Sequence, residues 1–257
     1  MAAHIHVSLL GGFHVTLDGV NMDAVINKSR KGMALMQFLI LEHGQAITTS
    51  KLIEIMWGGE TSTNPENALK TLISRFRVIL GQISPDLSAC IATERGSYRW
   101  KSNENVSVDV YEFEDLAGRL LDVNVLDEET APLFRKAIHL YAGDLLSGDE
   151  KHSWYAGFSS LLNDNYLKLV YHYLGLLEQK ENWEEIISVC RHALDVDAFD
   201  EQLHLQLMNA LIKTNRNNEA LMQYKHVTNL HYHYLGVQPP EGVQEFYKQI
   251  AHVSSNL

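Results

Sequence analysis

Cysteine is scarce: Cys90 and Cys190 are the only two in 257 residues, and they fall in different candidate domains. That argues against a disulfide framework or a cysteine zinc site and suits a reducing cytosol. Long hydrophobic runs are missing too; none approaches the roughly 20 apolar residues of a membrane span, so no membrane partner is expected. The start, MAAHIHVSLLGG, has neither a basic n-region nor a long apolar h-region, so it does not read as a secretory signal and the expected location is cytoplasmic. Enzyme signatures are absent as well: there is no G-x-x-x-x-G-K-[ST], G-x-G-x-x-G, G-x-S-x-G or H-E-x-x-H. Acidic pairs such as Glu128-Glu129 and Glu184-Glu185 have no convergent His or Ser and read as solvated surface. No catalytic residue and no cofactor is expected. Histidine is frequent, at 13, but His231 and His233 would point about 200° apart on a helix. His4 and His6 share a strand face without a third ligand, so no metal site is expected.

What is present is unevenly distributed. The net charge of −11 resolves into two opposite halves. Residues 1–101 carry 10 Lys and Arg against 8 Asp and Glu, a net of +2 that rises to +4 over residues 28–101. Residues 102–257 carry 11 against 24, a net of −13. A mildly basic module joined to a strongly acidic one implies division of labour, and the acidic half should repel nucleic acid.

The first half reads as strands, three helices and a final hairpin. His4 to Leu17 suggests two short strands broken at Gly11-Gly12, with Asp18-Gly19 a hairpin signal leading into Val20 and Met22. Met33 to Leu41 and Thr48 to Trp57 read as helices, the second closed by Gly58-Gly59. Cys90 to Trp100 reads as two strands around a turn at Glu94-Arg95-Gly96-Ser97. Such an order makes a winged helix-turn-helix.

The third helix, Asn64 to Leu80, is the most informative. Asn64 is a good N-cap, Pro65 at the first helical position loses an amide that would be unpaired anyway, and Gly81 reads as the stop. At about 100° per residue, Ala68, Leu69, Leu72, Ile73, Phe76, Ile79 and Leu80 share one buried arc. The opposite arc carries Asn67, Lys70, Thr71, Ser74, Arg75, Arg77 and Val78, with no carboxylate after Glu66. Amide, hydroxyl and cationic donors in that pattern suit base edges and phosphates. A solvated helix with two chance arginines is the plainer alternative for the helix taken alone.

Ser102 to Asn105 reads as a linker, giving domains 1–101 and 106–257. Beyond it the pattern is helical with a period of 34 residues. Leu174 falls on Met208, Leu177 on Leu211, Glu185 on Glu219, Ile187 on Leu221 and Cys190 on Tyr224. That period is the tetratricopeptide signature, in which neighbouring units must stack to bury their apolar faces. Two units are convincing, a looser helical set precedes them from Val110 to Ala156, and a helix from about Pro240 to His252 would cap the stack. Trp154, Tyr155, Phe158, Tyr166, Tyr171, Tyr173, Trp183, Tyr224, Tyr232 and Tyr234 at helical spacing are expected to be mostly core of that stack. The expected fold class is therefore mainly α with small β: an N-terminal winged helix-turn-helix followed by an α-helical tetratricopeptide-like domain.

Several segments, in order and at the right spacing, resemble the Streptomyces antibiotic regulatory protein family: LLGGFHVTLDG, ITTSKLIEIMWGG, NALKTLISRFRVILG, IATERGSYRW, VDVYEFEDLAG, AIHLYAGDLLSG and YLGVQPPEGVQEFY. The resemblance spans almost the whole chain. It implies an OmpR-type winged helix joined to a bacterial transcriptional activation domain, hence a sequence-specific activator of transcription. Lys, Asn and His stand where many relatives are rich in arginine, and these 257 residues show no segment expected to form a receiver, phosphopeptide-binding or nucleotide-binding domain, which leaves the input signal open. The resemblance places Asn64–Leu80 in the major groove of double-stranded DNA, with Asn67, Lys70, Thr71 and Ser74 reading bases and Arg75 and Arg77 on phosphates. It also lets Arg95, at the wing tip, enter the minor groove. Lys28, Arg30 and Lys31 are candidates for further backbone contacts. Tyr98 and Trp100, alternating with Arg99, read as buried supports. By the same resemblance Gly58 to Thr63 would meet RNA polymerase, and two copies would bind as a homodimer on direct repeats. A different class of function stays open: a signal-binding or adaptor protein whose helical half captures a peptide or small-molecule effector.

Overall fold

The computed structural model describes residues 3–58, 64–148, 152 and 154–254, with side chains as far as 248. In chain order the elements begin with β1 (Ile5–Ser8), β2 (His14–Leu17), β3 (Val20–Asn21), α1 (Asp23–Ile26), α2 (Arg30–Leu41), β4 (Ile47–Thr48), α3 (Thr49–Trp57) and α4 (Pro65–Ile83). They continue with α5 (Pro85–Cys90), β5 (Ile91–Glu94), β6 (Ser97–Trp100), β7 (Val106–Val108), α6 (Asp109–Leu120) and α7 (Thr130–Leu140). The last are α8 (Tyr155–Gln179), α9 (Trp183–Val196), α10 (Glu201–Lys213), α11 (Asn217–Leu230), a π-helical turn (His231–Leu235) and α12 (Glu241–Ser254). The architecture is a winged helix-turn-helix followed by a helical domain. Among the described residues no helix is long and apolar enough to cross a membrane.

The chain forms two compact units: residues 1–115 with 143–163, and residues 116–142 with 164–257. The first contains both sheets. One runs β3-β2-β1-β7, the other β4-β6-β5. β1 pairs antiparallel with β2 and parallel with β7, in register Ile5↔Val106 and Val7↔Val108. Ile5, Val7 and Val15 alternate inward from these strands and are fully buried. The tetrapeptide read as a linker is in fact a bonded turn. Asn103 and Asn105 both donate to the Asp86 carboxylate, at 3.4 and 3.0 Å, and Ile5 N–H donates to Asn105 O at 2.9 Å. Next to it the buried Asp109 carboxylate accepts from the amides of Leu9, Leu10 and Val110, within 2.7–2.9 Å. Burial pushes its pKa up to about 6 against the pull of these donors.

In the helix trio, Ser29 caps α2, Thr48 caps α3 and Asn64 caps α4 by accepting from amides at the third helical position, and Gly58 ends α3 in the left-handed region at φ +51°. Gly81 is not the stop that the sequence suggested. α4 continues to Ile83, which is buried, and ends where Ser84 turns extended ahead of Pro85 and caps α5. A mid-helix glycine costs only about 1 kcal/mol, less than burying an isoleucine returns. Glycine matters more at Gly32, where a Cβ would lie 2.3 Å from Phe76 Cδ2. The bare backbone lets α2 seat directly on the aromatic ring of α4.

The second unit shows the repeat in its turns. Glu181 and Asn215 both take left-handed conformations, at φ +53° and +59°. One residue on, Asn182 N–H bonds Leu177 O and Arg216 N–H bonds Leu211 O, the same bond displaced by 34 residues. Stacked rings fill the layers: Phe134 on Tyr173 at 4.6 Å, Tyr141 on Tyr166 at 4.3 Å and Tyr224 on Tyr247 at 4.3 Å. Trp154, Tyr155 and Phe158, expected in this core, belong instead to the first unit, where Trp154 and Phe158 pack on Phe38 at 5.4 and 6.4 Å. Two more of the expected aromatics are exposed. Tyr232 and Tyr234 ride on the π-helical turn, where the helical phase changes, and are 52% and 69% exposed.

Candidate nucleic-acid interface

α4 is held by burial of one face: Leu69, Ile73, Phe76 and Leu80 are at most 1% exposed. That fixes the opposite face outward. Asn67, Lys70, Ser74 and Arg75 are exposed, Thr71 is half-buried at the margin, and Val78 stands 65% exposed among them. Among the described residues neither Lys70 nor Arg75 is in an ion pair, so both cationic heads are available to an anion. Asn67 spends only its backbone amide on the cap.

Two grooves flank the helix. On one side Thr71, Arg75, Ala68, Leu72 and Ile79 face Lys28 and Ser29 across a groove of about 480 Å³. On the other, Glu66 and Lys70 face Thr48–Ser50 and the wing residues Thr93, Glu94 and Ser97 across about 440 Å³. Of the three cations near α2, only Lys28 borders the helix in this way. Lys31 lies over the Trp57 ring at 5.1 Å, and Arg30 lines a separate recess with Asn27, Gln37 and His152.

The wing is better anchored than its sequence indicated. β5 and β6 pair from Ile91↔Trp100 to Glu94↔Ser97, leaving Arg95 and Gly96 as the turn, with Gly96 at φ +76° and Arg95 exposed. Tyr98 and Trp100 are buried, as alternation with Arg99 implies. The short strand β4 adds a third strand to this sheet, and Thr49 donates to Gly96 O through its amide at 3.0 Å and its hydroxyl at 3.2 Å. Arg77 takes a different position from its neighbours. Its Nε donates to Ile91 O at 3.1 Å, its Nη2 donates to the same oxygen, and Nη2 also reaches Thr93 Oγ1 at 2.7 Å. The structure thus groups Asn67, Lys70, Thr71, Ser74 and Arg75 on one helix face, sets Arg95 at the wing turn and turns Arg77 towards the wing's first strand. The one sequence signal for Arg77 was its place at the edge of the polar arc, beside Ile73. Of the Gly58 to Thr63 loop, residues 59–63 lie outside the described residues.

Among the described residues no cluster of His, Cys, Asp and Glu could hold a metal ion. His4 and His6 both bond Ser107 Oγ, at 3.1 and 2.9 Å.

Comparison with known proteins bears on the same two regions. The family described as "Bacterial transcriptional activator domain" matches residues 108–251, more than half of the chain. That described as "Transcriptional regulatory protein, C terminal" matches residues 23–99. The regulatory protein AfsR of Streptomyces coelicolor is 26% identical over 249 residues, and its Streptomyces griseus counterpart 25% over 226. The chain belongs to the Streptomyces antibiotic regulatory protein family. It is thus a member of a family of transcriptional regulators with a DNA-binding domain. The matches take in 96% and 87% of this chain but only 24% and 22% of the two AfsR proteins. Among solved structures, Mycobacterium tuberculosis EmbR in complex with a low affinity phosphopeptide superposes with a TM-score of 0.65 at 18% identity, covering 97% of this chain and 65% of that one. That likeness establishes a shared fold.

Proposed function

We propose that this member of the family is a sequence-specific transcriptional activator that lays α4 in the major groove. The observation that carries the reading is the outward face of α4, which beyond Glu66 presents amide, hydroxyl and cationic groups with Val78 and no carboxylate, while its other face is locked in the core. Asn67, Lys70, Thr71 and Ser74 read base edges, each good contact contributing about 1–3 kcal/mol of discrimination. Arg75, with Lys28 across the groove, holds the phosphate backbone. Arg95 enters the neighbouring minor groove. Arg77 takes part from the margin of the helix, through the wing strand that its guanidinium holds.

Residues 1–101 provide DNA recognition and residues 106–257 provide protein contacts. Through the latter a second copy pairs on direct repeats and RNA polymerase is recruited, the acidic surface offering a complement to basic polymerase regions. The action is binding and recruitment, with no chemistry on a substrate. The test is a pull-down of fragmented genomic DNA by the intact chain near physiological salt, followed by sequencing. Enrichment of a few promoters that share a repeated motif is the expected result; uniform recovery would remove the reading.

A second reading rests on a groove of about 360 Å³ in the helical unit. It is lined by Arg191, Asp195, His204, Gln223 and His226 among others, with room for an acidic or amide-bearing effector. In that case the helical half senses a peptide or small molecule and gates the DNA-binding half.

A further inference from the structure

Arg77 and the wing are joined by more than proximity. The guanidinium donates twice to a main-chain oxygen of β5 and once to a side-chain hydroxyl two residues further along it. Ile91 and Thr93 bracket the first half of the strand whose far end carries the turn at Arg95. From the other side Ser88 Oγ donates to Arg77 O at 3.0 Å, so the α5 turn grips the same residue through its backbone. β5 is an edge strand of its sheet, and Arg77 supplies the partner for that edge. At the sheet's opposite end, Thr49 holds the turn itself at Gly96 O. The wing is therefore clamped at its base by the recognition helix and at its tip by the preceding helix.

We infer that Arg77 is a positioning residue: its fork ties the wing to α4, fixing where Arg95 stands relative to Asn67, Lys70 and Ser74. The inference rests on the DNA-binding reading of α4 and the wing, and it refines the part given to Arg77 there. A guanidinium is suited to the task because its planar donors meet two acceptors in one geometry. An ammonium delivers a point charge and cannot span Ile91 O and Thr93 Oγ1 in the same way. Rigid coupling between a major-groove helix and a minor-groove arginine sets the distance between the two base-reading elements. Loss of the tie frees Arg95 to leave the groove without removing its charge.

The test is a double-mutant cycle in the full chain between Arg77→Ala and Arg95→Ala, read as affinity for a duplex made from the most enriched genomic fragment. Arg95→Ala is expected to lower affinity about tenfold in the parent and less than about twofold in the Arg77→Ala background. Arg77→Lys is expected to behave like Arg77→Ala despite its charge. Thr93→Val, which keeps Arg77 and removes one acceptor, should show part of the same non-additivity with a parent-like Tm. Additive losses, or full rescue by lysine, would instead make Arg77 an ordinary phosphate ligand and overturn the inference. Amide hydrogen exchange of residues 91–97 in the DNA-free protein separates this outcome from failure of the DNA-binding reading. Exchange should quicken at least fivefold in Arg77→Ala, Arg77→Lys and Thr93→Val whether or not any duplex binds. Unchanged exchange in all three overturns the tie. If exchange quickens but Arg95→Ala leaves affinity untouched, the wing is clamped as described and its assigned place in the minor groove is what fails.

Discussion

Replacing Gly32 by alanine adds one methyl group where α2 crosses α4. The new Cβ would lie 2.3 and 2.5 Å from Cδ2 and Cγ of Phe76 and 2.8 Å from Ser29 Oγ. Carbon atoms settle at about 3.5–4.0 Å, so the helices must part by roughly 1 Å or the ring must turn. The ring has nowhere to turn, because Phe76 is fully buried. Overpacking of this kind costs about 1–3 kcal/mol. A Cβ 2.3 Å from a ring carbon that cannot move belongs to the upper part of that range, about 2–3 kcal/mol; alanine recovers about 1 kcal/mol of helix propensity, leaving a net loss of about 1–2 kcal/mol. Ser29 also caps α2 by accepting from the amide of residue 32, so a shift there weakens the cap. Urea unfolding of the intact chain reads this as a lower midpoint at unchanged slope. Gly32→Ala in a Phe76→Leu background should cost less than in the parent, since the two side chains meet. A variant as stable as the parent, or stabilised as an ordinary helix Gly→Ala would be, refutes the close approach of α2 and α4.

Other perturbations have equally definite outcomes. Arg75→Ala should weaken binding to every duplex and reduce the slope of log affinity against log salt by about 1, the signature of one lost phosphate contact, measured by fluorescence anisotropy. Asp109→Asn turns an amide donor towards the N–H groups of Leu9, Leu10 and Val110 and should destabilise the chain by about 2–3 kcal/mol in urea melts. Its pH dependence follows from the raised pKa of about 6. The folded state holds this proton more tightly than the unfolded chain, so the contribution is full at low pH and lost as pH rises through about 6. The stability gap between parent and Asp109→Asn should therefore widen as pH falls from 7 to 4.5, and a constant gap contradicts the assignment. Glu181→Asn should stabilise by a few tenths of a kcal/mol, because asparagine tolerates the left-handed turn that Asn215 occupies in the next repeat.

The features legible in the sequence are those with local causes. Asn64-Pro65 announces the start of α4, and the spacing of Leu69, Ile73, Phe76 and Leu80 identifies its buried face without any tertiary knowledge. The turn at Arg95-Gly96 and the burial of Tyr98 and Trp100 follow from strand alternation. A repeat of 34 residues is legible because each unit needs the same apolar positions. What escaped depends on partners distant in sequence. β7 pairs with β1 across about a hundred residues, and Asn103 and Asn105 look like linker residues until Asp86 is placed beside them. Gly81 reads as a stop because its local cost is visible while the burial of Ile83 is not. Tyr232 and Tyr234 follow a helical phase that the π-turn interrupts. Arg77 shows the limit most clearly, since residue type and spacing alone place it with Arg75. Its carbonyl and hydroxyl acceptors on β5 belong to a strand whose position no helical wheel contains.

Whether the outward face of α4 reads bases is decided by selecting bound sequences from a randomised duplex pool with the intact parent and with Asn67→Ala. A defined motif is expected for the parent and, for the variant, the same motif relaxed at one base pair with the remaining positions kept. A motif unchanged in every position, or no motif from the parent, would contradict it.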